Sequence, residues 1–166
     1  MNKITIGIDP DLNGAFVMIP PHGEVETWPI KKHQEEMDVL ELHWIIDRIS
    51  DRVKNKPWRI FIERPRAIPG HRGGNKLMDN YGLIRGLLIA HGLTGYEEVW
   101  PQTWQAAMFD LADIRQRAGN VKNKHGARKK LKLEIGRRIV KQELGLDTDH
   151  PGIIDAALIA LWGRGK

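Results

Sequence analysis

Alternation of hydrophobic and polar residues at the start of the chain indicates a β-strand. Every second residue from Ile4 to Ile8 is isoleucine, and Asp9 ends the run, which is the two-residue period of a strand with one buried face. Turn-forming residues over 10–14 separate this strand from a second one over 14–19, and a third is predicted over 24–28. The first part of the chain therefore predicts a three-stranded meander with Asp9 at a strand end.

Helical spacing follows the meander. Apolar residues recur every three or four positions over 34–53 and predict a helix. The apolar run from Trp58 to Ile62 predicts a fourth strand that ends at Glu63. Residues 64–75 are rich in Pro, Gly, Arg and His, so we expect an exposed loop directly after this acid.

The second half of the chain consists mainly of helical patterns. Its predicted elements are a helix over 77–88, a strand over 96–100, a short helix over 102–108, a long helix over 127–144 and a last helix over 153–162. Gly82 and Gly86 weaken the first of these helices and indicate close packing against another element. Residues 110–126 are polar and weakly periodic, which predicts a flexible stretch before the long helix. The last helix carries Asp155 in its first turn.

Composition narrows the class of protein. The 166 residues, 41% of them hydrophobic, suit a single domain over 1–166. Lys and Arg number 26 against 21 Asp and Glu, a net charge of +5, which favours a polyanionic partner. The lack of cysteine excludes disulfides and thiolate metal sites and suits the cytoplasm. Without a signal-peptide pattern or an apolar run long enough to span a bilayer, we expect neither secretion nor membrane insertion.

Acids end the first and fourth predicted strands and begin the last helix, and the residues around them form short motifs. The motifs are Ile6-Gly7-Ile8-Asp9-Pro10 with Asn13-Gly14-Ala15, Ile60-Phe61-Ile62-Glu63, Tyr81-Gly82 through Gly86, Val99-Trp100-Pro101 with Trp104, and Asp155-Ala156-Ala157-Leu158-Ile159-Ala160. In this order they resemble the motifs of RuvC-type Holliday junction resolvases, nearest to the small phage-type members. The resemblance implies an α/β, RNase H-like fold with a five-stranded mixed sheet flanked by helices.

The resemblance also implies a metal-dependent endonuclease that acts on branched DNA. Asp9, Glu63 and Asp155 would be its catalytic carboxylates and metal ligands. Two divalent ions, Mg²⁺ or Mn²⁺, held about 4 Å apart hydrolyse a phosphodiester and require clustered oxygen ligands of this kind. No organic cofactor is implied. Cutting two symmetric strands of a four-way junction calls for two sites related by a two-fold axis, so we expect a homodimer.

The main departure from the family pattern is at the position of the fourth metal ligand. The family places an Asp or His three or four positions before the last acid, where this chain has Gly152 and Pro151. The neighbouring His150 and Asp149 are the alternatives for this role, with His150 favoured slightly. Either side chain could instead cap the last helix.

Basic residues mark two surfaces for DNA. The loop after Glu63 contributes Arg64, Arg66, His71 and Arg72. Between Lys122 and Lys141 the only acid is Glu134, whereas a solvated helix face normally mixes both charges, so this stretch favours phosphate contact. Its predicted DNA contacts are Lys122, Lys124, Arg128, Lys129 and Lys130. Trp100 and Trp104 are expected in the core rather than stacked on bases.

Other functions remain open on this sequence. An RNase H or a flap or repair nuclease would use the same carboxylates, and a catalytically weak protein that binds branched DNA is compatible with the displaced fourth ligand. One half of an actin-like or sugar-kinase ATPase also places an Asp at the end of its first strand. The segment from Asp9 to Gly14 lacks the Asp-x-Gly-Thr pattern of that phosphate loop.

Overall fold

A computed structural model describes residues 3–34, 36–66, 72–119 and 123–166, with the backbone alone over 72–75. The strands in these ranges are β1 (Ile4–Asp9), β2 (Ala15–Ile19), β3 (Glu26–Pro29), β4 (Lys32–His33), β5 (Glu36–Met37), β6 (Trp58–Glu63) and β7 (Glu97–Val99). The helices are α1 (Val39–Val53), α2 (Arg72–Ala90), α3 (Pro101–Met108), α4 (Leu111–Arg117), α5 (Lys124–Leu144) and α6 (Pro151–Arg164).

Five of the strands form one mixed sheet in the order β3-β2-β1-β6-β7. The pairs β3-β2 and β2-β1 are antiparallel, whereas β1-β6 and β6-β7 are parallel. The predicted five-stranded mixed sheet flanked by helices is therefore confirmed. Because Ile8 of β1 lies opposite Ile62 of β6, the next residue on each strand, Asp9 and Glu63, leaves the sheet at the same edge.

Each face of the sheet carries its own hydrophobic core. One core joins β1 and β6 to α1 and α2 and contains, among others, Ile6, Ile60 and Ile84. The other joins the sheet to α3, α4, α5 and α6 and contains Phe61 and Trp104. Isoleucines at every second position of β1 face the first core, as the alternation predicts.

The last helix packs on the central strand at backbone level. A Cβ on Gly7 of β1 would collide with the carbonyl oxygen of Ala156, and a Cβ on Gly152 would collide with the backbone of Asn13 and Gly14. Only glycine permits an approach this close. The first turn of α6 therefore lies directly on the loop that follows β1.

The predicted helix over 34–53 begins later than expected. Lys32–His33 and Glu36–Met37 pair as the short antiparallel strands β4 and β5, and α1 starts only at Val39. The carboxylate of Asp38 accepts a hydrogen bond from the amide of Glu41 at 3.1 Å, which is the capping contact that begins a helix. Met37 fits the helical period, but it packs in the core from β5.

The polar stretch over 110–126 is more regular than expected. Residues 111–117 form α4, because the carboxylate of Asp110 accepts hydrogen bonds from the amides of Ala112 and Asp113, both at 3.0 Å. The long helix α5 begins at Lys124, where Asn123 caps its first turn. Helix therefore covers most of a stretch whose pattern is only weakly periodic, while residues 120–122 lie outside the described ranges and the flexibility before the long helix stays a prediction.

The interpretation of Gly82 and Gly86 was also wrong. A Cβ added at either position of α2 would meet open space, so no close packing requires glycine there. The predicted fifth strand over 96–100 shortens to β7, because Trp100 already caps α3. No helix in the part of the chain that the structure describes is long and apolar enough to cross a membrane.

Candidate active site

Two carboxylates are brought together by the parallel pairing of β1 and β6. Asp9 and Glu63 are the last residues of these strands, and both are partly buried. The carboxyl ends of adjacent parallel strands meet at one edge of a sheet, so the two acids become neighbours although 54 positions separate them in the sequence (63 − 9). The charge of Glu63 is one of the causes that raise the pKa of Asp9.

The third predicted acid reaches the same edge from α6. Gly152 lets the first turn of this helix lie against the backbone of Asn13 and Gly14, three positions before Asp155. The charge of Asp155 raises the pKa of Asp9 and also that of Glu63. The structure therefore brings all three predicted catalytic acids into one electrostatically coupled cluster.

Burial is the main cause of the unusual acidity of this cluster. Burial and the charges of Asp155 and Glu63 raise the pKa of Asp9 well above its ordinary value. Burial raises the pKa of Glu63 to about 7 and that of Asp155 to about 6. Three carboxylates that resist ionisation beside one another form a site in which a cation is strongly favoured.

Trp104 of α3 holds Glu63 in position. Its indole nitrogen Nε1 donates a hydrogen bond to Oε2 of Glu63 at 2.6 Å, and the ring is 1% exposed. The bond favours the ionised carboxylate and opposes the effect of burial on the pKa of Glu63. The expectation that Trp104 is a core residue is confirmed. A buried indole N–H normally requires a hydrogen-bond acceptor, and this requirement is the one signal for the contact that the sequence contains.

Lys132 of α5 is the partly buried cation beside the acids. Its charge lowers the pKa of both Asp155 and Glu63. Its Nζ atom donates a hydrogen bond to Oε1 of Gln105 at 2.7 Å, which fixes the ammonium group between α3 and α5. The pKa of Lys132 is lowered, because burial outweighs the attraction of the two carboxylates.

Asp11 is an acid of the cluster that the sequence reasoning missed. The sequence predicts a turn at this position, and the amide of Asp11 does donate a hydrogen bond to Oδ1 of Asp9 at 3.3 Å. Its exposed carboxylate also raises the pKa of Asp9, Glu63 and Asp155. The spacing of two residues between Asp9 and Asp11 across a strand end is the signal that could have identified it.

The two alternatives for a fourth metal ligand have other partners. His150 caps α6, where its Nδ1 accepts a hydrogen bond from the amide of Ile153 at 3.3 Å. Asp149 is 81% exposed and forms an ion pair with Arg137. Neither side chain is among the groups that shift the pKa values of the acid cluster. The position of Gly152 cannot carry a ligand, because any Cβ there collides with the loop after β1.

The donor set of the cluster fits a hard divalent cation. Carboxylate oxygens are the ligands that Mg²⁺ and Mn²⁺ prefer, and burial of several negative charges is relieved by a bound cation. Within the described ranges, no three His, Asp or Glu side chains are close enough to enclose an ion as they stand. Binding therefore requires the carboxylates to turn toward one another, and Asp9, Glu63 and Asp155 are the residues that would hold the ion.

A cleft of about 600 Å³ opens beside the acids between α3, α4, α5 and the start of α6. Asp155 and Trp104 line it on the side of the cluster. Its basic lining consists of Arg115, His125, Arg128, Lys129 and Lys132. A negatively charged strand in this cleft would pass next to the carboxylates with its charge balanced by the opposite wall.

The basic stretch of α5 divides into two halves. Lys124, Arg128, Lys129 and Lys130 are exposed, and Arg128 and Lys129 line the cleft. At the other end of the helix, Arg137 pairs with Asp147 at 3.2 Å and Lys141 with the same carboxylate at 2.7 Å. Among the described residues, the cations of α5 that line the cleft therefore lie in the half near the acids. Lys122 lies outside the described residues.

The loop after Glu63 is described only in part. Arg64 and Arg66 are exposed, as predicted, whereas His71 and the side chain of Arg72 lie outside the described residues. The guanidinium of Arg64 lies 4.7 Å from the centre of the Trp100 ring. Trp100 is 42% exposed, so the expectation that it belongs to the core was wrong.

Comparison with known proteins agrees with this arrangement at the level of the fold. No protein-family model matches the sequence, and a search of curated proteins finds no match. The structure of Thermus thermophilus RuvC in complex with a Holliday junction substrate matches with a TM-score of 0.63 at 14% identity, covering 98% of this chain and 92% of that chain. A second structure of RuvC from the same organism matches with a TM-score of 0.60 at 17% identity, covering 97% and 93%.

The sheet and its helices define an RNase H-like α/β fold. Within that class, the fold is similar to that of RuvC over almost the whole chain, and the predicted resemblance is confirmed at this level.

Proposed function

We propose that this protein is a Mg²⁺-dependent, structure-selective endodeoxyribonuclease that cuts four-way and other branched DNA junctions. The observation that carries the proposal is the convergence of Asp9, Glu63 and Asp155 at one edge of a RuvC-like sheet, beside a basic cleft. The structurally similar RuvC was solved with a Holliday junction substrate. Acids on an ordinary solvent-exposed surface keep ordinary pKa values. Three acids with raised pKa values at a single sheet edge therefore indicate a functional site.

In the proposed reaction, the chain positions the DNA and the acids. The cations of the N-terminal half of α5 bind the phosphates, and Trp104 holds Glu63 at the sheet edge through its indole N–H. Bound divalent ions would activate water and stabilise the charge of the departing oxygen. Asp9, Glu63 and Asp155 would hold these ions, while Lys132 lies where it can balance excess negative charge at the phosphate.

A homodimer in the cytoplasm completes the proposal. Resolution of a four-way junction needs a cut in each of two symmetric strands, and a two-fold dimer presents two equivalent sites for this purpose. Mn²⁺ is expected to substitute for Mg²⁺, because both take carboxylate oxygens.

Cleavage of a substrate panel tests the proposal. A four-way junction, a flap, a duplex and an RNA–DNA hybrid of matched sequence are incubated with Mg²⁺ or with EDTA. We expect cleavage of the junction that requires Mg²⁺, with the duplex left intact. Asp9→Asn, Glu63→Gln and Asp155→Asn should each abolish cleavage while junction binding persists. Cleavage of the hybrid with an untouched junction would replace the proposal with an RNase H activity.

One observation favours a second candidate, a protein that binds branched DNA and cuts it weakly. His150 and Asp149, the alternatives for a fourth ligand, are engaged as a helix cap and in an ion pair. Tight and selective junction binding without Mg²⁺-dependent cleavage in the same panel would support this candidate.

A further inference from the structure

An exposed tryptophan lies at the same sheet edge as the acids, and we propose that it forms a stacking platform for an unpaired nucleobase together with Arg64. The platform consists of the side chains of Trp100 and Arg64. This inference rests on the proposed function, because it states how the acid site would receive the branched part of a DNA substrate.

The geometry of the pair is that of a cation on an aromatic face. The Cζ atom of Arg64 lies 4.7 Å from the centroid of the Trp100 ring. The tryptophan is 42% exposed and the arginine side chain 49% exposed. Two flat groups in contact, both open to solvent, offer the kind of surface on which a nucleobase stacks.

The platform is held in place by the backbone and by an acid. The amide of Arg64 donates a hydrogen bond to the carbonyl of Val99 at 2.8 Å, which continues the pairing of β6 with β7. Nη1 of Arg64 lies 3.5 Å from the carboxylate of Glu98. The backbone of Trp100 occupies the N-cap position of α3, and Pro101 restricts the backbone next to it. Both groups are therefore positioned before any ligand binds, which reduces the entropy lost on binding.

Both residues of the platform are close in sequence to residues of the acid site. Arg64 directly follows Glu63 on β6, and Trp100 lies one helical turn before Trp104, which donates its hydrogen bond to Glu63. Alternation along the strands places Val99 in the core beneath α6, whereas Glu98 pairs with Arg85 of α2. Arg64 and Trp100, the next residues along the chain after the two strands, therefore turn to the α2 face, so the platform and the acids share one edge of the sheet on opposite faces.

An unpaired base fits this surface better than a phosphate or a duplex. Bases within a duplex already stack on both faces, whereas bases at a branch point or in a single strand have a free face. The charge of Arg64 is partly balanced by Glu98, so the guanidinium serves as a stacking plane more than as a free phosphate ligand.

The chain provides a matched control. Trp44 of α1 is 50% exposed, and the Cζ atom of Arg48 lies 5.5 Å from its ring centroid. The buried residues of α1 belong to the core on the sheet face opposite α6. The two pairs share their chemistry and exposure, and only the first lies at the strand ends where Glu63 leaves the sheet.

Binding without cleavage tests the platform. Fluorescence anisotropy in EDTA gives the affinities of the wild type, Trp100→Leu and Trp44→Leu for a four-way junction, a single strand and a duplex of matched sequence. We expect Trp100→Leu to weaken binding to the junction and the single strand about tenfold and to leave duplex binding within about twofold, with Trp44→Leu unchanged throughout. A 2-aminopurine base at the branch point should be quenched by the wild type and by Trp44→Leu, but not by Trp100→Leu. Thermal melting confirms that both variants fold.

The outcomes separate this inference from the proposed function. A wild type that prefers the junction, together with a Trp100→Leu variant that binds every DNA equally well, overturns the platform and leaves the nuclease proposal standing. A wild type with no preference for the junction, whose single-strand binding still depends on Trp100, supports the platform and overturns junction selectivity. A wild type that binds no DNA overturns both.

Discussion

At the scale of single residues, the candidate site depends on how one buried acid is partnered. Glu63 ends a strand in a place where an isolated carboxylate would be costly to ionise. Trp104 provides one hydrogen bond at 2.6 Å, and Lys132 provides a positive charge nearby. Asp155 and Asp11 act in the opposite direction. The ionisation of Glu63 is therefore a balance that single substitutions can shift in a known direction.

Trp104→Phe removes the indole N–H while keeping an aromatic ring in the core. Because this hydrogen bond lowers the pKa of Glu63, its loss should raise that pKa above about 7. Fewer molecules then carry the ionised carboxylate at neutral pH, and we expect the apparent affinity for Mn²⁺ at pH 7 to fall about tenfold. Calorimetric titration with Mn²⁺ at several pH values measures the shift. Trp44→Phe serves as the control, and identical pH dependence in both variants would show that the hydrogen bond does not tune Glu63.

At the scale of elements, glycines determine where α6 lies. Gly7 and Gly152 bring this helix into backbone contact with β1 and the loop after it. Gly82 and Gly86 of α2 face open space instead. Glycine is thus required in one helix and merely tolerated in another, and only the contacts between elements distinguish the two cases.

Gly152→Ala and Gly86→Ala should change stability in opposite directions. The added methyl at 152 must push α6 away from Asn13, which we expect to destabilise the fold by about 1–3 kcal/mol. Gly86→Ala meets no neighbour and should stabilise α2 by about 0.5–1 kcal/mol. Urea unfolding monitored by circular dichroism measures both. A Gly152→Ala protein as stable as the wild type would contradict the backbone contact that positions Asp155.

Two pairs of cations on α5 provide a test of the DNA surface. Arg128→Gln with Lys129→Gln removes two charges that line the cleft, whereas Arg137→Gln with Lys141→Gln removes two charges paired with Asp147. We expect the first double variant to bind all DNA shapes about tenfold more weakly and to reduce the slope of log affinity against log salt by about 1–2. The second pair should leave the slope unchanged. An unchanged affinity and slope in both double variants would assign the whole helix to a solvated surface.

At the scale of the whole molecule, the acid cluster makes the free energy of unfolding depend on pH. Three acids with raised pKa values are easier to ionise in the unfolded chain than in the folded one. The folded protein without metal therefore binds more protons than the unfolded chain at mildly acidic pH, and acid stabilises it. A bound divalent cation would remove this dependence, because it stabilises the ionised carboxylates in the folded state.

The metal-free protein should accordingly be more stable at pH 5 than at pH 8. For a carboxyl group whose pKa is raised on folding, the stabilisation is complete below its unfolded value and is lost as the pH rises through its folded value. For Glu63 and Asp155 this window extends from about pH 4 to about pH 7. We expect a gain of about 1–3 kcal/mol from each group at pH 5, measured by thermal unfolding in EDTA.

Glu63→Gln and Asp155→Asn provide the controls for this pH dependence. Each substitution removes one titrating carboxyl, so each should reduce the difference between pH 5 and pH 8. Asp147→Asn should not reduce it, because ion pairs with Lys141 and Arg137 lower the pKa of that exposed acid. An unchanged difference in both cluster variants would place the origin of the effect elsewhere.

Local pattern alone determined most of the elements and one half of the site. The alternation of β1, the apolar run of β6 and the mixed sheet implied by the family resemblance were enough to predict that Asp9 and Glu63 lie in one site. These features depend on neighbours along the chain and on the two-residue period of a strand, which a sequence displays directly. The late start of α1 and the presence of α4 depended on capping by Asp38 and Asp110, which compete with periodicity over only a few residues.

The remaining half of the site depended on tertiary packing. Asp155 reaches the acids because Gly152 lets α6 lie against the loop after β1, and the same contact leaves no room for a ligand at that position. The sequence identifies Trp104 only as a core residue, whereas its indole N–H bonds to Glu63 in the fold. The sequence also predicts a buried Trp100, but β7 ends at Val99, before this residue. Such contacts join residues that are distant in sequence, so no local period encodes them. Their energies arise only when the helices pack on the finished sheet.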